Sequence, residues 1–246
     1  MTNNFDYCVR VKSGASWRQF NRIRLMISVG RPYHEGGKLK AVAYWINRNP
    51  TIKEVHVSVC DLLQRHNYMA AGMPDQQACA AASLEGTLWI ERNEEILESI
   101  KANTQITRWE EWLNRPEFLP IHNAILDYAK SDILFEEALD ADAHMFTERK
   151  QKRGENVPNV DRWVAHSKDY LTEELAVFAM QCRELPAADV YPGSVLASAD
   201  YLVNKTLPEH IAPLASRCFT RIGFDRINAV NNVVSFPRQL GVASNG

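Results

Sequence analysis

Short apolar runs alternate with longer amphipathic stretches along the chain. Residues 23–30, IRLMISVG, are apolar and end in Gly, the pattern of a buried strand that stops at a tight turn. Pro32 breaks the chain again, and Gly36-Gly37 lead into KLKAVAYWINRN, where Leu39, Val42, Ala43 and Ile46 recur at helical spacing. Pro50 closes that helix. KEVHVSVC (53–60) alternates and is β-branched, which marks a second strand. Strand, helix, strand argues for a parallel sheet with a crossover connection.

Pro74-Asp75 opens a long helix towards Asn103, with Asp75 as its expected cap and Leu84, Leu88, Ile96, Leu97 and Ile100 as its apolar positions. QITRW (105–109) reads as a short strand. Helices are expected over about 118–148, with Ile121, Ile125, Ala129, Ile133 and Leu134 on one stripe, and over 159–183. KRGENVPN (152–159) is the loop between them. Pro192-Gly193 precedes a short helix, SVLASADYL, and the tail INAVNNVVSF (227–236) is expected to return as a strand. There is no internal repeat and no linker long enough to divide the chain. The pattern predicts one α/β domain over residues 1–246, Rossmann-like, with a small parallel sheet and many helices.

Composition narrows the class. The chain has 246 residues, 46% hydrophobic and 24% charged, which is globular and excludes disorder or a low-complexity fibre. No apolar run approaches the roughly 20 residues needed to span a bilayer. The opening MTNNFDYCVRV lacks the layout of a secretory signal. Cys8, Cys60, Cys79, Cys182 and Cys218 are scattered and form no CxxC, which argues against a disulfide framework or a zinc knuckle. The expectation is a soluble, cytoplasmic, monomeric protein.

The net charge of −2 conceals an asymmetry. Residues 1–66 carry 11 Lys/Arg against 4 Asp/Glu, residues 67–148 carry 5 against 16, and residues 149–246 carry 12 against 10. A nucleic-acid footprint over the whole chain is therefore absent, and only local ones remain. The densest is Arg149, Lys150, Lys152 and Arg153. It reads either as a solvated helix end or as a phosphate contact.

Three constellations could carry chemistry. The turn Ser28-Val29-Gly30-Arg31-Pro32-Tyr33-His34-Glu35 follows the first predicted strand, where open α/β sheets bind ligands. Ser28 there is a candidate nucleophile, phosphate ligand or plain turn residue, and Gly30 lets a substrate approach the backbone. Tyr170 and Glu174 lie four apart on a predicted helix, so both reach one face. They could hold an ammonium group and move a proton, or form a surface pair. Asp61 follows the second predicted strand, either as a carboxylate for a cationic substrate or as a helix cap. His34, Glu35 and His66 lack a third ligand at familiar spacing, so no metal is expected. The GxSxG elbow, the P-loop and the GxGxxG fingerprint are all missing, which removes the usual support for hydrolase, ATP or dinucleotide chemistry.

Together these pieces resemble the tRNA-dependent cyclodipeptide synthases. ISVGRPY (27–33) is similar to that family's Ser-x-Gly nucleophile turn, Tyr170 and Glu174 to its Tyr-x-x-x-Glu pair, and Ser194-Val195-Leu196 to its Ser-Val-Leu segment. Their order and separations fit over roughly residues 23–203. SVGRPYHEGGK with DLLQRHN (61–67) resembles the branch that makes arginine-containing cyclodipeptides. The resemblance implies a fold like the catalytic domain of class I tyrosyl- and tryptophanyl-tRNA synthetases, without ATP, metal or other cofactor. It implies a ping-pong reaction on two aminoacyl-tRNAs, Arg-tRNA first, with Ser28 as nucleophile. Glu174 would hold the first α-ammonium, and Tyr170 would bind the amine and help relay its proton.

Two departures stand out. Many members of the family have Asn where this chain has Arg31, and Tyr where it has Ser198. Gly30, Arg31, Tyr33, Glu35, Asp61 and Ser198 are therefore the candidate substrate contacts, with Asp61 preferred over Glu35 as the partner of an arginine guanidinium. The bacterial enzymes hold tRNA on a basic long helix, whereas residues 75–102 here carry only Arg92 and Lys101 against six carboxylates. Lys150, Lys152 and Arg153, or Arg18, Arg22, Lys38 and Lys40, are the alternatives for tRNA. A non-catalytic α/β binding protein, with Ser28 only a turn residue, is the competing reading.

Overall fold

Six strands form one sheet in the computed structural model, which describes residues 6–13 and 15–227. They are β1 (Tyr7–Ser13), β2 (Arg22–Ile27), β3 (Glu54–Val59), β4 (Asn103–Arg108), β5 (Ala188–Tyr191) and β6 (Cys218–Arg226). Their order across the sheet is β1-β6-β5-β2-β3-β4. β1 is antiparallel to β6, and every other pair is parallel. The α-helices of the described residues are α1 (Gly36–Asn47), α2 (Arg65–Ala70), α3 (Asp75–Glu98), α4 (Trp109–Leu113), α5 (Phe118–Ser131), α6 (Ile133–Lys152), α7 (Val160–Glu184) and α8 (Ala197–Leu202). None is long and apolar enough to cross a membrane.

This order positions the site. The chain steps from β2 to β3 to β4 in one direction, then returns to place β5 on the other side of β2. Strand order reverses between β2 and β5, and a parallel sheet opens a crevice beyond its carboxyl ends at such a point. Ser28 follows β2 directly, and Tyr191 ends β5.

The two faces of the sheet differ. Ile23, Leu25 and Ile27 of β2 and Val55, Val57 and Val59 of β3 pack with Leu39, Val42 and Ile46 of α1 and Trp89, Ile96 and Leu97 of α3. Fully burying one such side chain contributes about 1.5–3 kcal/mol. The opposite face of the same strands carries buried Arg24, His56 and Ser58. A buried polar group is costly without a partner, and each of these has at least one. Arg24 donates to Asp189 Oδ1 at 2.7 Å and to the carbonyls of Gln181 and Leu185 at 2.9 and 2.7 Å. Gln181 Nε2 donates to Ser58 Oγ at 2.9 Å, and His56 Nε2 pairs with Thr107 Oγ1 at 2.7 Å. Outside this polar layer, Leu171, Leu175 and Phe178 of α7 share an apolar cluster with Ile121 and Ile125 of α5 and Phe135 and Leu139 of α6.

Several expectations need correction. The strand before Ser28 is the second in the chain, because β1 precedes it, and the pattern did not predict β1, β5 or β6. The N-cap of α3 is Pro74, with no side-chain cap hydrogen bond, and Asp75 is the first residue inside the helix. Leu84 and Leu88 are exposed, while Ala78, Ala82, Gly86, Trp89, Asn93, Ile96 and Leu97 form the buried stripe. Small residues there let α3 approach closely: a Cβ on Gly86 would overlap the Asp61 carboxylate. The expected helix over 118–148 is two helices. Asp132 is extended and its carboxylate accepts from the Leu134 and Phe135 N–H groups, so it caps a new helix, and Ile133 and Leu134 face solvent. The short helix expected from Ser194 starts at Ala197. From residue 228 onwards the expected tail strand lies outside the described residues.

Candidate active site

The segment after β2 is a fixed turn. The Arg31 N–H donates to the Ser28 carbonyl at 3.2 Å, and Gly30 sits at φ +78°, a conformation that favours Gly. The Ser28 N–H donates to His34 Nδ1 at 2.8 Å, so that nitrogen acts as an acceptor. Burial pushes the His34 imidazole down to about 3, which keeps it neutral at working pH. Its carbonyl accepts from Trp89 Nε1 at 3.0 Å, tying the turn to α3.

Fixing the turn places the Ser28 hydroxyl. Ser28 Oγ lies 3.1 Å from Tyr191 Oη, which lies 3.2 Å from Tyr33 Oη. Burial raises the Tyr191 phenol well above its usual range, with Tyr33 adding to the effect, so Tyr191 stays protonated. Gly193 is required here, because a Cβ at that position would overlap the Tyr191 ring.

A cavity of about 240 Å³ opens beside this relay. Ser28, Arg31 and Tyr33 line it from the turn, Tyr170 and Glu174 from α7, Tyr191 from β5, and Gly193 to Leu196 from the following loop. Met26, Phe178 and Phe219 supply apolar wall. The expected triad of Ser28, Tyr170 and Glu174 therefore shares one cavity. Glu174 is half-buried in the cavity wall, and desolvation raises its carboxyl to about 7 despite the opposing charge of Arg217. Burial, with the Glu174 charge second, raises Tyr170 well above its usual range. Gln64 Nε2 donates to the Tyr170 hydroxyl at 3.4 Å.

The lining has one carboxylate and five cations. Glu174 faces Arg31, Arg149, Lys150, Arg153 and Arg217 around the cavity. Arg217 is held by Asp189 and lies over the Phe178 ring, with its guanidinium carbon 3.8 Å from the centroid. Lys150 and Arg153 share Glu155 at 3.0 and 2.6 Å. Lys152 does not line the cavity and pairs with Glu148 at 3.3 Å.

Four expected substrate contacts do not line the cavity. Asp61 is buried, and its carboxylate accepts from the Leu62 and Trp109 N–H groups at 2.8 and 3.2 Å and from Arg108 Nε at 2.7 Å. It is the cap at the end of β3, turned towards α3 and α4, and its guanidinium partner is the chain's own. Glu35 pairs with Arg92 at 3.4 Å, and its side chain does not line the cavity. Ser198 is buried in the first turn of α8, where its N–H and Oγ donate to Asp142 Oδ2 at 2.8 and 2.7 Å. That bond anchors the cavity loop from below rather than reaching a substrate. Gly30 shapes the turn without lining the cavity.

Tyr191 and Arg217 line the cavity but were not legible as site residues. The only local signal for Tyr191 was its place before Pro192-Gly193. If its hydroxyl orients Ser28, Tyr191→Phe leaves the fold intact and slows turnover about 3- to 10-fold, the net worth of one hydrogen bond. Steady-state rates of the variant measure this directly, and a rate equal to wild type removes Tyr191 from the relay.

A serine at the switch point of a parallel sheet, flanked by protonated phenols and a half-buried carboxyl of raised pKa, defines a site equipped for acyl transfer on an α/β scaffold. The sequence profile described as cyclodipeptide synthase matches residues 12–185, and the chain belongs to that family. It is thus a cyclodipeptide-forming transferase that uses aminoacyl-tRNA. A cyclodipeptide synthase structure from Fluoribacter dumoffii is similar with a TM-score of 0.77 at 21% identity, covering 90% of this chain and 100% of that one. The synthase from Candidatus Glomeribacter gigasporarum bound to Phe-tRNAPhe matches with a TM-score of 0.60 at 18% identity, covering 90% and 93%. A Mycobacterium tuberculosis protein, described as relating cyclodipeptide synthetases to type I tRNA synthetases, matches with a TM-score of 0.61 at 17% identity, covering 92% and 96%. No curated protein matches the chain significantly.

Proposed function

We propose that this chain joins two aminoacyl-tRNAs into a cyclic dipeptide through an aminoacyl-enzyme on Ser28, with arginine as the first residue. The observation that carries this reading is the convergence of Ser28, Tyr170 and Glu174 on one cavity at the switch point.

Ser28 Oγ attacks the ester carbonyl of the first aminoacyl-tRNA, and its proton is handed on through the Tyr191 and Tyr33 hydroxyls to the departing tRNA oxygen. The tRNA leaves with its terminal hydroxyl restored. The amine of the second aminoacyl-tRNA attacks the Ser28 ester, forming the peptide bond and freeing the Ser28 hydroxyl; that hydroxyl then attacks the ester of the dipeptidyl-tRNA, which releases the second tRNA and leaves a dipeptidyl-enzyme. The free amine of the dipeptide then closes the ring and releases Ser28. Glu174, when ionised, holds the α-ammonium of the first residue, and Tyr170 orients the amine and relays its proton. Each step spends an ester that already exists, so the route requires neither ATP nor a metal. Tyr191 supplies the hydroxyl that Ser198 does not.

The arginine reading rests on the resemblance of residues 28–38 and 61–67. The second segment reaches the cavity through Gln64 and Asn67, not through Asp61. Gln64 Oε1 accepts from Asn67 Nδ2 at 3.0 Å, and these two amides offer carbonyl acceptors to a guanidinium. Arg149, Lys150 and Arg153 would meet the phosphates of the acceptor end; Lys152 is set aside by its position.

Mass spectrometry of the medium of a bacterial host expressing the chain tests the reading. The expected result is a new diketopiperazine containing arginine, absent from the empty-vector control. A diketopiperazine without arginine keeps the reaction and overturns the specificity; absence of any new diketopiperazine from a host with soluble protein overturns both.

A further inference from the structure

We propose a second site on this protein: a divalent d-block metal site between α2 and α7, built by His66, His166 and Asp169, with Zn²⁺ as the ion its donors fit. The ligand atoms of these three residues all lie within 4.8 Å of one another. None of the three lines the catalytic cavity.

His66 is buried on α2, and its Nε2 lies 3.2 Å from Glu173 Oε2. Glu173 also takes the Arg65 guanidinium and, at 2.9 Å, the Trp109 indole N–H. A carboxylate paired with a guanidinium accepts hydrogen bonds and does not donate them. Nε2 of His66 is therefore the donor in that contact, which leaves Nδ1 as the nitrogen free to coordinate an ion. That Nδ1 is buried and has no hydrogen-bond partner. A histidine whose other nitrogen donates to a carboxylate is the usual support for a metal ligand.

His166 and Asp169 stand three apart on α7 and so share a face. His166 Nδ1 is likewise buried without a hydrogen-bond partner, and lies 3.6 Å from Asp169 Oδ2. Ligand atoms around a tetrahedral zinc, with bonds of about 2.0–2.1 Å, are roughly 3.4 Å apart. Binding an ion would require the three atoms, now within 4.8 Å of one another, to close to that separation by side-chain rotation. A His166–Asp169 ion pair without metal would leave the orphaned His66 nitrogen unexplained. Two imidazole nitrogens and one carboxylate oxygen suit zinc and its neighbours, not the all-oxygen preference of Mg²⁺ or Ca²⁺. Asp169 is exposed and His166 half-buried, so an ion enters from solvent and keeps water in its fourth position.

The site lies behind the catalytic tyrosine. The His66 ring meets the Tyr170 ring edge-on at 6.4 Å. α2 also carries Asn67, which lines the cavity, and α7 carries Tyr170 and Glu174. An ion here clamps those two walls together without touching substrate.

The test uses the full chain, free of affinity tag and stripped with chelator, titrated with Zn²⁺ alone by calorimetry and followed by thermal unfolding. His66 and Glu173 are buried, so the variants are His166→Asn and Asp169→Asn, whose metal-free melting should match wild type. The expected result is one equivalent of Zn²⁺ that raises the melting temperature, with affinity reduced at least 10-fold in each variant. No binding by wild type, or binding unchanged in both variants, overturns the site.

Discussion

Ser28→Ala yields a folded protein that forms no covalent aminoacyl adduct and makes cyclic dipeptide at least about 10³-fold more slowly than wild type. The argument is local. The Ser28 backbone, not its hydroxyl, holds the turn, through the His34 and Arg31 contacts. The hydroxyl makes one hydrogen bond, to Tyr191, whose loss costs about 1 kcal/mol of stability. No neighbouring group replaces the nucleophile. Cys60, at the end of β3, is buried, and burial with the Glu174 charge raises its thiol well above the usual range. Tyr191 is held as a phenol. Circular dichroism checks the fold, and intact-mass measurement checks the adduct. A variant that still turns over at a comparable rate contradicts the covalent route.

Glu174→Gln is expected to lose activity and gain stability. A charge-assisted contact to the α-ammonium is worth about 1.5–3 kcal/mol, so turnover should fall by about 10- to 150-fold. Wild-type activity should rise with pH through about 7, as the Glu174 carboxyl ionises, and the variant should lack that rise. Stability moves the opposite way. From the unfolded value of 4.5 to about 7 the unfolded chain is ionised at this carboxyl while the folded protein keeps the proton. The folded state binds more protons in that window, so stability falls as pH rises, by up to about 3 kcal/mol in all. Gln carries no such charge. The variant should therefore melt near wild type at pH 4 and above it at pH 8. Equal melting at pH 8, together with full activity, would remove Glu174 from the site.

The elements that announced themselves have local signatures. β2 and β3 are apolar runs bounded by Gly or Pro, and α7 is a long amphipathic helix that brings Tyr170 and Glu174 to one face. β5 has four residues, too few for alternation to be seen, yet it supplies Tyr191. β1 did carry a signal: Tyr7, Val9 and Val11 alternate with Cys8, Arg10 and Lys12. Asp61 shows where local reading ends. Its place beyond a strand was correct, but the direction of its side chain depends on Arg108 and on the missing Cβ of Gly86, both distant in sequence. Arg217 became a cavity residue only when β6 joined β5 and Asp189 fixed its guanidinium. Leu84 and Leu88 misled because helical spacing alone does not say which stripe meets the core when Ala and Gly let the backbone approach more closely.

Covalent capture on Ser28 is the centre of this account, and one measurement reaches it without waiting for product. Purified enzyme is mixed with Arg-tRNA as the only aminoacyl donor, quenched in acid within seconds, and mapped by peptide mass spectrometry. The expected result is an arginyl ester on the peptide containing Ser28, absent in Ser28→Ala and cleared by a second aminoacyl-tRNA. An unmodified Ser28 peptide under conditions where cyclic dipeptide accumulates, or an adduct on any other residue, contradicts it.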